Sequence, residues 1–339
     1  MSNFADMKII ENCPLLGRNT FGMDVKAECL TEWSSPDELR MLLPDAKRPL
    51  LTVGGGSNLL FTGDFKGTVL HSTIESIDVI GETTDYVQVR VGSGVVWDDF
   101  VAYAVLHGWW GVENLSAIPG EVGASAVQNI GAYGVEAKDV IETVYTICFE
   151  DGSEREFSNT ECRYAYRQSI FKNELKGQYA VTYVQFRLSR KPQPRLGYGA
   201  LEAEVRSMGE PTLENIRNAV IRIRAGKLPD PKVLGNAGSF FMNPVISVQE
   251  FNDLKNSYPD IPSYPAPDGM VKVPAGWLIE KAGWKGRSLG PAAVYEKQAL
   301  VLVNKGGATG TDVMRLADAV IKEVKEIFGI TLSTEVNYI

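Results

Sequence analysis

Histidine is almost missing from this chain of 339 residues: His71 and His107 are the only two. Histidine-based catalysis and histidine metal sites are therefore poorly supplied, and no metal is expected. Cysteine is also sparse. Cys13, Cys29, Cys148 and Cys162 are scattered without a Cys-x-x-Cys, which suggests neither a disulfide framework nor a zinc site. A reduced, cytoplasmic setting is the default for such usage. No uncharged apolar run reaches membrane-spanning length, and Met1–Cys13 has no basic-then-apolar signal pattern, so no targeting segment is expected. A basic excess is absent as well. The net charge of −8 argues against a nucleic-acid binder, although a local cationic pocket remains compatible with it. What remains is ordinary: 44% hydrophobic and 22% charged residues, in a chain long enough for two or three domains with proper cores.

Periodicity supplies a mixed pattern of elements. Ser34–Leu43 reads as a helix, with Ser34 or Ser35 as its cap and Pro36 in its first turn. Val96–His107 has helical spacing with Val101, Val105 and Leu106 apolar, and Trp109 and Trp110 after it mark a core edge. Thr212–Ala225, Ser247–Leu254, Ala275–Ala282 and Thr311–Phe328 complete the expected helices; Ser247 with Glu250 fits a capping box. Pro49–Val53 reads as a buried strand. Further strands are expected at Gly67–His71, Ile77–Ile80, Tyr86–Val91, Val140–Phe149, Gln178–Leu188, Ala299–Asn304 and Thr331–Ile339, with a hairpin turn at Asp151-Gly152.

Three glycine-rich stretches do not fit this pattern. Gly54-Gly55-Gly56-Ser57-Asn58 follows a strand, as phosphate cradles do, because bare backbone N–H groups can surround an anion. It matches neither the dinucleotide fingerprint nor the P-loop, and Leu59-Leu60-Phe61 after it looks like a turn into another strand. Glu113–Glu136 carries glycines at 120, 123, 131 and 134 with Ala124, Ser125 and Ala126 between them. Neither helical nor strand periodicity explains it. A tightly packed buried loop and a cofactor-binding loop are equally open readings, with Ser116, Ser125, Gln128, Asn129 and Tyr133 offering hydrogen bonds. Leu228–Pro244 has a stiff start at Pro229 and Pro231, then Gly235, Asn236, Gly238, Ser239, Phe240 and Phe241. It could place one hydroxyl accurately; a tight turn between helix and strand is the plainer reading. Arg222, Arg224 and Lys227 cluster just before it, where cations also complement a helix dipole. Arg167, next to Tyr166, is suited to a carboxylate or phosphate, with a solvated loop arginine as the alternative. Glu335 in the terminal strand either faces water or is buried with a purpose. Gly286-Arg287-Ser288-Leu289-Gly290 fits the nucleophile-elbow pattern of serine hydrolases, but no histidine follows it in the chain and no strand precedes it.

Taken together and in order, Arg18-Asn19-Thr20-Phe21-Gly22, Gly54–Asn58, Ile118-Pro119-Gly120, Gln128–Gly134, Tyr166-Arg167, Gly235–Phe241 and Ala275–Ile279 closely resemble the UDP-N-acetylenolpyruvoylglucosamine reductase family. Leu196-Gly197-Tyr198-Gly199 and the loop around Tyr264 look like its longer subtype. Gly55 is a departure, since relatives often carry another residue there; it alters a contact near the flavin without removing the cradle.

The resemblance implies an α+β protein: a two-subdomain FAD-binding fold of the vanillyl-alcohol-oxidase/PCMH type plus a C-terminal α+β substrate domain. It implies FAD-binding subdomains at 1–72 and 73–220, a substrate-binding domain at 221–330, and a strand at 331–339 returning Glu335 to the active site. It implies an NADPH-dependent flavoenzyme that reduces the enolpyruvyl ether of UDP-N-acetylglucosamine enolpyruvate to UDP-N-acetylmuramate, for peptidoglycan precursors. NADPH would give a hydride to FAD and leave, and the reduced flavin would then give a hydride to the methylene carbon of the enol ether.

By the same resemblance, non-covalent FAD would be held by Gly54, Gly55, Gly56, Ser57, Asn58, Ser116, Pro119, Gly120, Gly123, Ser125, Gln128, Asn129, Gly131, Ala132 and Tyr133. Arg167 and Glu335 would stabilise charge at the substrate carboxylate, and Ser239 would give the proton. Tyr198, Arg224, Lys227, Asn243, Tyr264, Lys272 and Lys285 would hold the nucleotide sugar. No nucleic acid, membrane or obligatory protein partner is implied. Two other readings remain: a regulatory protein that kept the flavin fold, and an oxidase of the same broad fold. The joint presence of Arg167, Ser239 and Glu335 argues against the first. The Gly-Asn-Ala-Gly-Ser-Phe-Phe and Tyr-Arg pairing argues against the second.

Overall fold

β-Branched runs between glycine turns form strands close to where the pattern puts them. A computed structural model of the protein describes residues 9–339; the expectation for Met1–Cys13 falls largely outside them. The chain divides into two compact units. One holds residues up to Cys13, Ala27–Gly55 and Phe65–Gly226; the other holds Pro14–Lys26, Gly56–Asp64 and Lys227–Ile339.

The first unit contains two larger sheets and a two-stranded ladder of Gly131–Ala132 with Val135–Glu136. One has strand order Ile10–Pro14, Lys26–Trp33, Phe65–Ser72, Leu50–Thr52, and its last three strands run parallel. The other is antiparallel, in the order Glu154–Ser158, Ile141–Cys148, Tyr179–Ser189, Tyr86–Gly92, Ile77–Glu82. Its helices are α1 (Pro36–Leu42), α2 (Trp97–Leu106), α3 (Val122–Gln128), α4 (Leu201–Met208) and α5 (Leu213–Lys227). Helix α1 starts where the sequence predicts: Ser35 accepts the Glu38 amide and Pro36 opens the first turn. The antiparallel sheet is covered by aromatic packing. Phe186 is fully buried, with ring centroids 4.7 Å from Phe100 and 6.0 Å from Trp97.

The second unit is built on an antiparallel sheet ordered Gly235–Ser239, Val301–Asn304, Ala292–Val294, Ser288–Leu289. Its helices are α6 (Val248–Ser257), α7 (Ala275–Lys281) and α8 (Gly310–Phe328). Helix α8 buries Val313, Leu316, Ala317, Val320, Val324 and Phe328 along one stripe, begins with a Thr309–Asp312 capping box and ends at Gly329 with φ +71°. The Ser247–Glu250 capping box of α6 also forms.

The structure corrects several readings. Pro49–Val53 is a strand only over Leu50–Thr52, and these three residues are not buried. Glu113–Glu136 is not a plain loop, because α3 lies inside it. Helix α4 was not expected. Leu106 is 82% exposed rather than part of the apolar face of α2. Tyr264–Pro265, read as loop, pairs with Val271–Lys272. Of the terminal strand only Asn337–Tyr338 enters a ladder, parallel to Leu59–Leu60. Among the described residues no helix is long and apolar enough to cross a membrane.

Phe186 is fully enclosed between two aromatic neighbours, so Phe186→Ala removes transfer energy and leaves a cavity. The expected loss is about 3–5 kcal/mol, read as a lower urea midpoint with little change in slope.

Candidate active site

In the first unit, turns of bare backbone meet at the ends of strands and helices. A Cβ on Gly55 would lie 3.3 Å from the Gly120 Cα, and one on Gly54 2.9 Å from Glu121 Oε2. One on Gly123 would lie 2.8 Å from the Ser93 Cβ, and one on Gly94 2.5 Å from the Ser72 carbonyl oxygen. Backbone hydrogen bonds bind these segments together: Gly123 N to Ser93 O at 3.0 Å, Trp97 N to Gly120 O at 3.0 Å and Gly94 N to Ile74 O at 3.0 Å. Residues 113–134 are thus partly buried and sharply bent. Ala117, Asn129 and Tyr133 have φ of +57°, +47° and +49°, a region costly for side chains other than glycine.

Side chains fix these turns. Ser116 Oγ donates to Glu113 O at 2.6 Å and Ser125 Oγ to Val122 O at 2.6 Å. Asn129 Nδ2 donates to Glu136 Oε2 at 3.0 Å and to Ala165 O at 2.9 Å, while its Oδ1 accepts the Lys138 amide at 3.0 Å. Lys172 Nζ donates to Gln128 Oε1 at 2.8 Å. Asn114, which the sequence reading did not single out, is fully buried and holds the Tyr133 carbonyl at 3.0 Å. Glu113, also missed, accepts the Gly111 amide at 2.7 Å, and burial raises its pKa above the ordinary carboxyl value.

Arg167 and Arg224, both singled out in the sequence, lie in this unit. Arg167 donates from Nη2 to Gly131 O at 2.6 Å and lies over the Tyr166 ring, 5.2 Å from its centroid. Arg224 donates to Ala117 O at 3.1 Å. Burial lowers its pKa, and Arg167 adds to this; Tyr133 and Asp98 oppose it. An arginine stays charged under such a shift, so its charge is held in a poorly solvated place. Tyr133 stands edge-on to Tyr198, centroids 6.3 Å apart, and burial raises its pKa. The structure thus groups Arg167, Arg224, Tyr133, Asn129 and Gly131, from motifs far apart in sequence.

The second unit groups Ser239, Glu335 and Asn58. Gly238 takes φ +68° beside Ser239, and a Cβ on Gly235 would collide with the Phe21 carbonyl, so both glycines are required. Phe240 and Phe241 are buried behind them. The Glu335 amide donates to Phe240 O at 2.8 Å, and Asn58 Nδ2 donates to Glu335 O at 3.3 Å. Gly56 has φ +62°, and a Cβ there would collide with the Arg18 carbonyl. Ser57 lies between Gly56 and Asn58 in this unit. Asn243 Oδ1 accepts the Ala275 amide at 2.9 Å, at the start of α7. Lys272 pairs in register with Tyr264 and Val245. Lys227 ends α5. Lys285 is engaged by Glu280 at 3.0 Å, its described contact.

The layered bare backbone, with several residues turned left-handed, suits a flat, anionic dinucleotide better than a metal. Among the described residues no cluster of His, Cys, Asp and Glu could hold a metal ion. Residues 28–158 match the FAD binding domain, and the fold is the FAD-binding type of vanillyl-alcohol oxidase and PCMH with an added α+β domain. The chain is thus an FAD-dependent oxidoreductase. Residues 230–339 match the C-terminal domain of UDP-N-acetylenolpyruvoylglucosamine reductase. The reductase of that name from Bacteroides fragilis is 55% identical over 96% of this chain and 98% of its own. That of Porphyromonas gingivalis is 52% identical over 98% of this chain and 100% of its own. The crystal structure of the Thermus caldophilus enzyme superposes with a TM-score of 0.68 at 24% identity, covering 98% of both chains. The chain belongs to the UDP-N-acetylenolpyruvoylglucosamine reductase family.

Covalent flavin attachment needs a histidine or cysteine at the flavin. His71 lies outside the glycine-rich loops in sequence, yet its Nδ1 is 2.9 Å from the Val53 carbonyl and 4.0 Å from Glu121. Both of its neighbours flank Gly54, which makes the expectation of non-covalent FAD a real test. Acid precipitation should release all the yellow colour; colour left in the pellet would show that attachment has occurred.

Proposed function

We propose that the chain reduces the enolpyruvyl ether of UDP-N-acetylglucosamine enolpyruvate to UDP-N-acetylmuramate with NADPH, in the cytoplasm, as a step towards peptidoglycan. Bound FAD supplies the hydride relay between the two substrates. The observation that carries this reading is the pair of polar groupings, Arg167 with Arg224 and Ser239 with Glu335, in a chain belonging to this family. A small-molecule nucleotide sugar is the substrate, and neither nucleic acid, membrane nor a protein partner is required. Residues 1–72 and 73–220 serve as FAD-binding subdomains, 221–330 as the substrate domain and 331–339 as the segment that carries Glu335.

In this reading Gly54–Asn58, Ser116, Pro119, Gly120, Gly123, Ser125, Gln128, Asn129, Gly131, Ala132 and Tyr133 hold FAD. Backbone amides at the turns serve the diphosphate, and the small residues admit the flat ring. Hydride addition to the methylene carbon pushes charge towards the substrate carboxylate. Arg167 and, as a hydrogen-bonding carboxylic acid, Glu335 bind that carboxylate, so that an enolate-like species is stabilised as it forms. Ser239 delivers a proton to the adjacent carbon. Its hydroxyl is a weak acid, and the fixed turn at Gly238 holds it where no search is needed. Tyr198, Arg224, Lys227, Asn243, Tyr264, Lys272 and Lys285 hold the diphosphate and uridine. A cationic pocket within a protein of net charge −8 is local and needs no basic surface.

Ser239→Ala should separate the two halves of the reaction. The proton is needed only after the enolpyruvyl substrate has accepted hydride, and loss of a positioned acid typically costs ~10²–10⁴-fold. In stopped flow, bleaching of the oxidised variant by NADPH should be near normal, and its recovery with the nucleotide sugar severely slowed. Equal slowing of both halves would make Ser239 structural; no slowing would move the proton donor elsewhere, to Glu335 or water.

A further inference from the structure

Two carboxylate oxygens and the peptide groups on either side of Ala117 link α2, α5 and the turn at residue 117. Asp98 is the second residue of α2. Arg217 and Arg224 are seven residues apart on α5, two helical turns, and so project from one side of it. Arg217 forks onto Asp98, Nη1 to Oδ1 at 2.6 Å and Nη2 to Oδ2 at 2.8 Å. The same Oδ1 accepts the Ala117 amide at 2.6 Å. Arg224 Nε donates to the Ala117 carbonyl at 3.1 Å. The peptide groups on both sides of the Ala117 Cα are each gripped by a charged side chain, and that residue sits at φ +57°. Arg217 and Asp98 side chains are 16% and 32% exposed, so the fork is shielded more than a surface pair. Burial pushes the Asp98 carboxyl up, but the Arg217 fork, the Ala117 amide and Arg224 leave it below its ordinary value.

We propose that Asp98 and Arg217 are positioning residues, which hold the Ser116–Gly120 turn in its left-handed form and, through the Ala117 peptide, fix Arg224. This rests on the reading in which that turn borders FAD and Arg224 binds the substrate diphosphate. A helix-to-helix salt bridge would have no reason to aim one carboxylate oxygen at the amide of a left-handed alanine. Nor would it explain why the second arginine on the same side of α5 takes the other end of that residue. The energetic coupling is asymmetric. Asp98→Asn can keep an oxygen acceptor for the Ala117 amide while losing the charge pair, whereas Asp98→Ala loses both.

The test compares wild type, Asp98→Asn and Asp98→Ala as purified holoenzymes by amide hydrogen exchange, FAD titration and steady-state kinetics. In Asp98→Ala, exchange across residues 115–120 should rise about tenfold, the fold-change expected for a lost hydrogen bond to a charged group. The FAD dissociation constant and the KM for the nucleotide sugar should rise by a similar factor, with kcat changed by no more than about threefold, since Arg224 grips ground state and transition state alike. Asp98→Asn should keep most of the exchange protection and raise the FAD dissociation constant and the KM less than Asp98→Ala does, because the peptide that aims Arg224 is still held. If Asp98→Ala does not fold, Arg217→Ala, which releases the carboxylate that holds the Ala117 amide, carries its readings. A lower melting temperature with exchange, FAD affinity and KM all unchanged would overturn the proposal. A wild type that binds no flavin or does not reduce the nucleotide sugar would defeat the functional reading instead, and the exchange measurement would still decide the grip on Ala117.

Discussion

The first unit depends on the absence of side chains where backbones meet. Ser72 to Ile74, Gly92 to Val95 and Gly120 to Gly123 lie against one another, joined by main-chain hydrogen bonds such as Ser93 O to Gly123 N at 3.0 Å. Cβ atoms at Gly92 and Gly94 would meet the carbonyl oxygens of Ile74 and Ser72. A side chain in this seam would have to displace backbone, which has no rotamers with which to yield. The starts of α2 and α3 hang from the seam: the Trp97 amide donates to Gly120 O and the Val122 amide to Val95 O. The placement of Ser116–Gly120 therefore depends on small residues as well as on the hydrophobic core, in which Trp97, Leu115 and Val122 are buried and against which Ile118 packs.

A second consequence concerns charge. A buried arginine loses its hydration and keeps its charge, so the protein must supply acceptors. Here they are mainly peptide carbonyls: Ala117 O for Arg224, Gly131 O for Arg167. A carbonyl orients a guanidinium without neutralising it. A bidentate carboxylate does neutralise its guanidinium, as Asp98 does for Arg217. Arg217 is thus tied down by a carboxylate, whereas Arg224 and Arg167 are oriented by peptide carbonyls.

Much of this was legible in the residues. The amphipathic helices α1, α5, α6, α7 and α8 and the strands of the antiparallel sheet follow their hydrophobic periods, because each buries one face. Helix α3 was invisible for a physical reason. Its sequence, Val-Gly-Ala-Ser-Ala-Val-Gln, buries Val122, Gly123, Ser125 and Ala126 by close backbone approach, so no apolar stripe of large side chains marks it. The terminal segment reads as a strand through its β-branched residues, yet only Asn337–Tyr338 finds a partner strand. The motif loops announce themselves by composition. What no local pattern reveals is pairing across distance: Asp98 with Ala117, 19 residues on, and with Arg217, 119 residues on.

The loop Gly54–Asn58 shows how one motif answers to several constraints. One of the points at which the chain passes from one unit to the other falls between Gly55 and Gly56. Gly54 and Gly55 are bare because Glu121 and Gly120 press against them, whereas Gly56 is bare because its φ is +62° and the Arg18 carbonyl occupies the place of a Cβ. These demands differ in strictness. At Gly56 both the dihedral and the backbone contact exclude a side chain. At Gly55 a Cβ would stand 3.3 Å from the Gly120 Cα, a distance that a shift of a few tenths of an ångström relieves. Gly54, whose Cβ would meet only the Glu121 side chain, and Gly55 can therefore accommodate another residue without losing the turn, whereas Gly56 cannot.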